Sequence, residues 1–263
     1  MAEHFDMLET RDPEIRERAL FAALRAQLAY AKANVPAYAR LLRDVDPATV
    51  TSRAALARLP VIRKSELVEL QKAERPFGGF SASGWGNARR RARLVFASPG
   101  PLYEPEGEAV DYWRLARALF AAGFRAGDLV HNCFSYPFTP GGALLESGAQ
   151  ALGCTVFRGG TGQTEQQVQA IAELRADGYV GTPSFLKIIL EKADEQHVVL
   201  RSLKKALVSG EAFPNSLRDA FGARGIAAYQ VIAVSCKISS ASTAAIRGTR
   251  NTEPADPRMH LGL

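Results

Sequence analysis

Apolar residues recur at three- and four-residue steps through the first part of the chain. Ile15, Ala19, Ala22, Ala23, Ala26 and Tyr30 follow one another with Arg and Glu between them, the spacing of one helical face. That pattern ends near Pro36. A second short helix is predicted over PAYARLLRD and, past a connector through Pro60, a third over SELVELQ. Residues Pro76 to Arg93, with Gly78, Gly79, Gly84 and Gly86, read as a loop.

From Arg93 onward the beat changes to apolar strand, turn, amphipathic helix. Strands are predicted over RLVFA at 93–97, LVHNCF at 129–134, CTVF at 154–157, GYVG at 178–181, ALVS at 206–209 and AAYQVI at 227–232. Two helix starts carry signals: Thr164 with Gln167 three residues on has the spacing of a capping box, and Thr182 before Pro183 pairs an N-cap with a proline at the first helical position. Strands alternating with helices predict an α/β fold, a mostly parallel sheet with helices on both faces, preceded by a helical N-terminal leader. The expected divisions are a leader over 1–92, an α/β unit over 93–232, and a poorly ordered tail over 233–263. That tail loses both alternation and apolar periodicity and is rich in Ser, Thr, Arg and Pro; a shifted reading frame is one origin of such an abrupt change.

Composition narrows the classes. The 263 residues are 47% hydrophobic and 23% charged, ordinary for a globular protein. No apolar run approaches the ~20 residues of a membrane span, and the N-terminus lacks the parts of a secretion signal, so a cytoplasmic location is expected. Cys133, Cys154 and Cys236 are an odd number without CxxC spacing, which favours reduced, buried thiols over a disulfide framework or a zinc site. The net charge of +6 is spread widely apart from Arg89, Arg90, Arg91 and Arg93; without interleaved aromatic rings this run reads as a solvated loop rather than a nucleic-acid platform. A hydrolase is disfavoured, because His131 and His197 lack a partner pattern and Ser184 and Ser209 lack a GxSxG elbow.

The candidate chemistry collects where strands end. In RLVFASPGPLYEPEG, residues 93–107, a strand runs into the loop Ser98-Pro99-Gly100-Pro101 and, on this reading, into a helix, an arrangement that cradles anions. Glu104 stands where a phosphate loop wants lysine. A carboxylate about 5 Å from a phosphate charge, at an effective dielectric near 20, costs about 3 kcal/mol. NCFSYPFTPGG at 132–142 brings Phe134, Tyr136 and Phe138 among prolines and glycines, suited to walling a pocket for a flat apolar substrate. GGTGQTEQQ at 159–167 and SGEAF at 209–213 follow two further strands.

These blocks resemble the phenylacetate-CoA ligase branch of the adenylate-forming synthetases. ASPGPLYEPE at 97–106 lies in register with that family's phosphate loop, close to ASSGTTGKPT. NCFSYPFTPGG is similar to its NAYGYGLFTGG, GGTGQTEQQ to its GGNTERQ, GTPSF at 181–185 to its GTPSY, and SGEAF to its GAEPW. The resemblance covers only the first half of a family member. It implies ATP-dependent activation of an aryl or related carboxylate to an acyl adenylate, then transfer to coenzyme A, with Mg²⁺ accompanying ATP. By resemblance, Ser98, Gly100, Ser209, Gly210, Glu211 and Ala212 border the nucleotide. Phe134, Tyr136, Gly141, Gly142, Gly181 and Thr182 line the substrate pocket. No catalytic residue or protein metal ligand is assigned. The family's Mg²⁺-holding acidic residue after Gln230 is replaced here, with Ile232 and Cys236 in that stretch. The chain is therefore expected to be truncated and of low activity alone, with a separate polypeptide supplying the other half as one arrangement the resemblance allows. The alternative is a non-catalytic binding module for an aromatic carboxylate, nucleotide or CoA-thioester.

Overall fold

The computed structural model describes residues 4–85, 91–236 and 241–247, the backbone alone for 233–236 and 241–247. Two compact units divide after Ala109, and Val110–Ser235 lie in the second.

In the first unit, α1 (Pro13–Asn34) starts where the carboxylate of Asp12 accepts the N–H groups of Glu14 and Ile15, with Pro13 as the first helical residue. Those N–H groups have no partner inside the helix, so an acceptor side chain satisfies them. The buried face of α1, Leu28 and Ala31, packs with Val35, Tyr38, Leu42 and Val50, which draws in α2 (Pro36–Leu41) and a 3-10 turn at Pro47–Thr49. Helices α3 (Arg53–Leu56) and α4 (Lys64–Ala73) follow.

The strand at 93–97 exists, but it does not feed a helix or join the parallel sheet. β1 (Leu94–Ser98) turns at residues 99–101 and returns as β2 (Leu102–Glu106), an antiparallel two-stranded sheet. This corrects the strand–loop–helix reading of 93–107. Leu102, Glu104 and Glu106 are buried in alternation with Tyr103 and Pro105, a strand's period of two. Two of the three inward positions are carboxylates, which hid the alternation from a hydrophobic pattern. Glu106 is buried against Arg93 at 2.8 Å. Gln71 of α4, itself buried, donates to the Tyr103 carbonyl and accepts the Tyr103 N–H, both at 2.9 Å, and so replaces a missing neighbouring strand.

The second unit opens with α5 (Ala116–Ala121) and then alternates β3 (Leu129–Asn132), α6 (Gly141–Ala151), β4 (Thr155–Arg158), α7 (Thr164–Leu174), β5 (Gly178–Gly181), α8 (Pro183–Glu195), β6 (Lys205–Val208), α9 (Asn215–Ala223) and β7 (Ala227–Cys236). β8 (Ala241–Arg247) ends the order β4-β3-β5-β6-β7-β8. All four pairings from β4 to β7 are parallel. The expected α/β class holds, with five of the six predicted strands in this sheet. β7 continues four residues past its predicted end and β8 lies within the predicted tail; the remaining tail positions, and Arg89 and Arg90, are outside the described residues.

Tyr179, Ala206 and Val208 face a core built with Val168, Ile171, Leu186, Ile189, Leu190 and Phe221 of α7, α8 and α9. Val130, Val180 and Leu207, also fully buried, alternate with them and face the opposite side, where α5 packs on α6. Helices leaving β3 and β5 therefore run to opposite faces, which makes the carboxyl ends of these neighbouring strands a topological switch point, the usual binding crevice of open α/β sheets.

Close packing fixes several glycines. A Cβ on Gly178 would stand 2.3 Å from the Phe124 ring, whereas one on Gly222 in α9 would meet nothing within 4 Å. Gly178→Ala is expected to cost roughly 1–3 kcal/mol, and Gly222→Ala to be neutral or stabilising by up to about 1 kcal/mol. Urea unfolding of the two variants checks the contrast.

Candidate functional site

At the end of β3 the fully buried Asn132 organises the loop that follows. Its side-chain amide donates to the Gly142 carbonyl at 2.9 Å and the Tyr136 hydroxyl at 3.0 Å, while its oxygen accepts the Phe134 N–H at 3.1 Å. One side chain thus closes residues 133–142 into a ring. Gly142 is required at the closure, since a Cβ would lie 2.9 Å from both the Tyr136 ring and the Ser135 carbonyl oxygen. The ring of Phe134 lies over Gly141, 3.2 Å from where a Cβ would be.

Tyr136 continues inward. Its hydroxyl feels the Glu146 carboxylate of α6, and Glu146 takes the two guanidinium bonds of Arg158 at 2.5 and 2.7 Å. The Arg158 guanidinium stands 5.4 Å from the Tyr136 ring centroid, a cation–π distance. Burial, and then the Glu146 carboxylate, push the Tyr136 hydroxyl up, so it stays a neutral donor. Burial pushes Glu146 up too, but Arg158 and Tyr136 outweigh it and leave the carboxyl below its usual value of 4.5.

β5 and β6 end beside this loop. The Tyr179 hydroxyl donates to the Thr182 carbonyl at 3.0 Å, and the Ser209 N–H to the Gly181 carbonyl at 3.1 Å. Thr182 caps α8 by accepting the Phe185 N–H at 3.3 Å, with Pro183 next, as its sequence signal predicted. Gly210 has φ +89°, in the left-handed region that suits glycine, and a Cβ there would lie 3.6 Å from Thr182 and 3.9 Å from the Phe134 ring. Phe134, Gly141, Thr182 and Gly210, from three separate sequence blocks, so meet at the carboxyl edge of the sheet. Glu211 accepts the Ser184 N–H at 2.6 Å; Ala212 is exposed.

The expected capping box at Thr164 and Gln167 is not formed. The N-cap is Gln163 in a left-handed conformation, with no side-chain cap bond. Buried Gln167 instead donates to the carbonyls of Gly159, Gly160 and Gly162, at 2.9, 3.3 and 3.1 Å, and faces His131 at 2.6 Å. Three carbonyl acceptors fix the amide nitrogen on the loop side, so the amide oxygen accepts from His131 Nε2–H. Among the described residues His131 Nδ1 has no hydrogen-bond partner, and burial holds the imidazole below its ordinary pKa. Gln167 was assigned the wrong partner because its bonds cross to loop carbonyls and a strand, a choice that local spacing does not encode.

Ser98 and Gly100 lie in the first unit, on the β1–β2 hairpin, where the Ser98 hydroxyl donates to the Leu102 carbonyl at 3.4 Å. Glu104 is not in that turn. It faces inward from β2 opposite Phe96 and is 7% exposed, which corrects its placement as a carboxylate within the phosphate loop. Phe138, a predicted pocket-wall ring, is 81% exposed. Cys133 and Cys154 are free and buried. Asn132, Glu146, Arg158 and Gln167 were missed as site-building residues; the adjacency of Asn132 to the aromatic loop was the one signal available.

The fold is that of an acyl-CoA ligase domain: it superposes with TM-score 0.78, at 26% identity, on an open conformation of 2-hydroxyisobutyryl-CoA ligase in complex with 2-HIB-AMP and CoA, covering 89% of this chain and 56% of that one. No family model matches the sequence. The chain is a homologue of the phenylacetate-coenzyme A ligases: it is 32% identical to that of Aromatoleum evansii over 224 residues, 81% of this chain and 49% of the relative, and 32% identical to that of Thermus thermophilus over 208 residues, 74% and 44%. It spans about half the length of these curated relatives.

Arg158→Ala leaves the buried Glu146 carboxylate without its cation. The variant is expected to lose about 1–3 kcal/mol at pH 7. Glu146 is depressed in the fold, so its contribution is present above its unfolded pKa and is lost as pH falls through the folded value. The gap between wild type and variant in urea unfolding is therefore expected to close as pH drops below 4.5.

Proposed function

We propose that this chain carries the carboxylate- and nucleotide-binding part of an acid–CoA ligase. The reaction is ATP-dependent activation of an aryl or related carboxylate, then thioesterification. A carboxylate oxygen bonds to the α-phosphorus and pyrophosphate departs; the coenzyme A sulfur then takes the acyl carbon and AMP departs. Phe134, Tyr136, Gly141, Gly142, Gly181 and Thr182 line the acid's side of the crevice. Ser209, Gly210, Glu211 and Ala212 border the nucleotide.

The observation that carries this reading is the meeting of Phe134, Thr182 and Gly210 at the switch point of a parallel sheet. Support comes also from relatives named phenylacetate-coenzyme A ligase and a structural neighbour holding an acyl adenylate and CoA. At Gly210 a Cβ would have only ordinary contacts, 3.6 Å to Thr182 and 3.9 Å to Phe134, so backbone is open to a ligand there. Among the described residues no group of three or more His, Cys, Asp or Glu is arranged to hold a metal. No helix among them is long and apolar enough to cross a membrane.

Because the chain spans half of its relatives, binding is the decisive readout. Calorimetry is expected to show AMP and phenylacetate each binding the folded chain, with Phe134→Ala weakening the acid about tenfold, the equivalent of ~1.4 kcal/mol of lost apolar contact, and AMP changed less. A folded chain that takes up neither ligand would overturn the proposal.

A further inference from the structure

Glu211 joins the segments that follow β5 and β6 to each other and to β7. Its carboxylate accepts the Ser184 N–H at the start of α8 at 2.6 Å, and its carbonyl accepts the side-chain amide of Gln230, from β7, at 2.9 Å. Two residues earlier, the Ser209 N–H reaches the Gly181 carbonyl at 3.1 Å. The loop 209–212 is thereby sewn to the turn 181–184 at two points, with Gly210 lying against Thr182 between them. The Ser184 N–H is among the helix-start donors that lack an intrahelical partner, and the adjacent cap hydroxyl of Thr182 is committed to Phe185. A carboxylate is the acceptor best matched to that position, since the helix start is its positive end.

We infer that Glu211 is a positioning residue that couples the two sides of the crevice: by holding loop 209–212 on the first turn of α8, it makes the nucleotide-bordering loop and the acid-bordering turn order together. This rests on the functional reading above. A ligand that orders either segment orders the other through the Ser184 bond, so the second ligand has less disorder to remove and binds more tightly.

The test uses AMP and phenylacetate on the full chain, with Glu211→Ala, which deletes the acceptor, and Glu211→Gln, which keeps an acceptor oxygen without the charge. Wild type is expected to bind AMP about fivefold or more tightly when saturated with phenylacetate. Glu211→Ala is expected to lose that gain and to speed hydrogen exchange at the Ser184 amide, while Glu211→Gln retains most of both. Wild-type binding of both ligands without coupling would overturn the inference while leaving the functional reading standing. So would unchanged coupling or unchanged Ser184 exchange in Glu211→Ala, or equal losses in the two variants. Failure of wild type to bind either ligand would sink the functional reading and the coupling together; the Ser184 exchange data would still report whether the seam depends on Glu211.

Discussion

In a parallel sheet covered on both faces, the chain leaving each strand must turn away among buried neighbours while its peptide groups still find partners. An unpaired buried amide or carbonyl costs roughly 1–3 kcal/mol, so the carboxyl edge is where polar side chains are forced inward. Asn132 meets this demand after β3, Gln167 after β4 and Tyr179 after β5. Each is buried, and each donates to at least one carbonyl of the segment that follows its strand. The shape of the crevice follows from these satisfied groups rather than from the apolar core beneath it.

The same constraint explains the glycines. A loop drawn onto a buried amide lies close to the side chain that draws it, and a Cβ at Gly159 would fall 2.4 Å from Gln167 Oε1. Gly142 answers to Tyr136 in the same way. Glycine loops in such folds are commonly read as cradles for ligand backbone contact; in this chain the inward side of two of them is already filled by the protein's own polar side chains. What remains for a ligand is the outward side, where Gly160 and Gly162 face open space.

Charge is handled by the same economy of pairing. Glu146 is buried only because Arg158, Tyr136 and Gln150 surround it, and Glu106 because Arg93 covers it. In both pairs the arginine is largely exposed and the carboxylate is not, as expected when a long cationic stem lies along the surface and delivers its head to a buried anion. These pairs hold loops and a hairpin in place.

Local rules sufficed for a large share of this structure. The change from a helical to a strand–helix period named the α/β class, the apolar runs of β3 to β7 marked the sheet, and Thr182 with Pro183 marked the start of α8. Motif order pointed to the ligase homology. Each of these depends on residues within a few positions of one another, where spacing and propensity speak directly. The tertiary structure alone decided that 93–107 folds back as a hairpin, that Glu104 turns inward, that Gln167 serves a loop and a strand rather than its own helix, and that Glu211 meets Ser184 across 27 positions. Those outcomes turn on which polar groups meet after the chain has closed on itself, and a hydrogen-bond partner brought close by folding leaves no periodic trace in the sequence that encodes it.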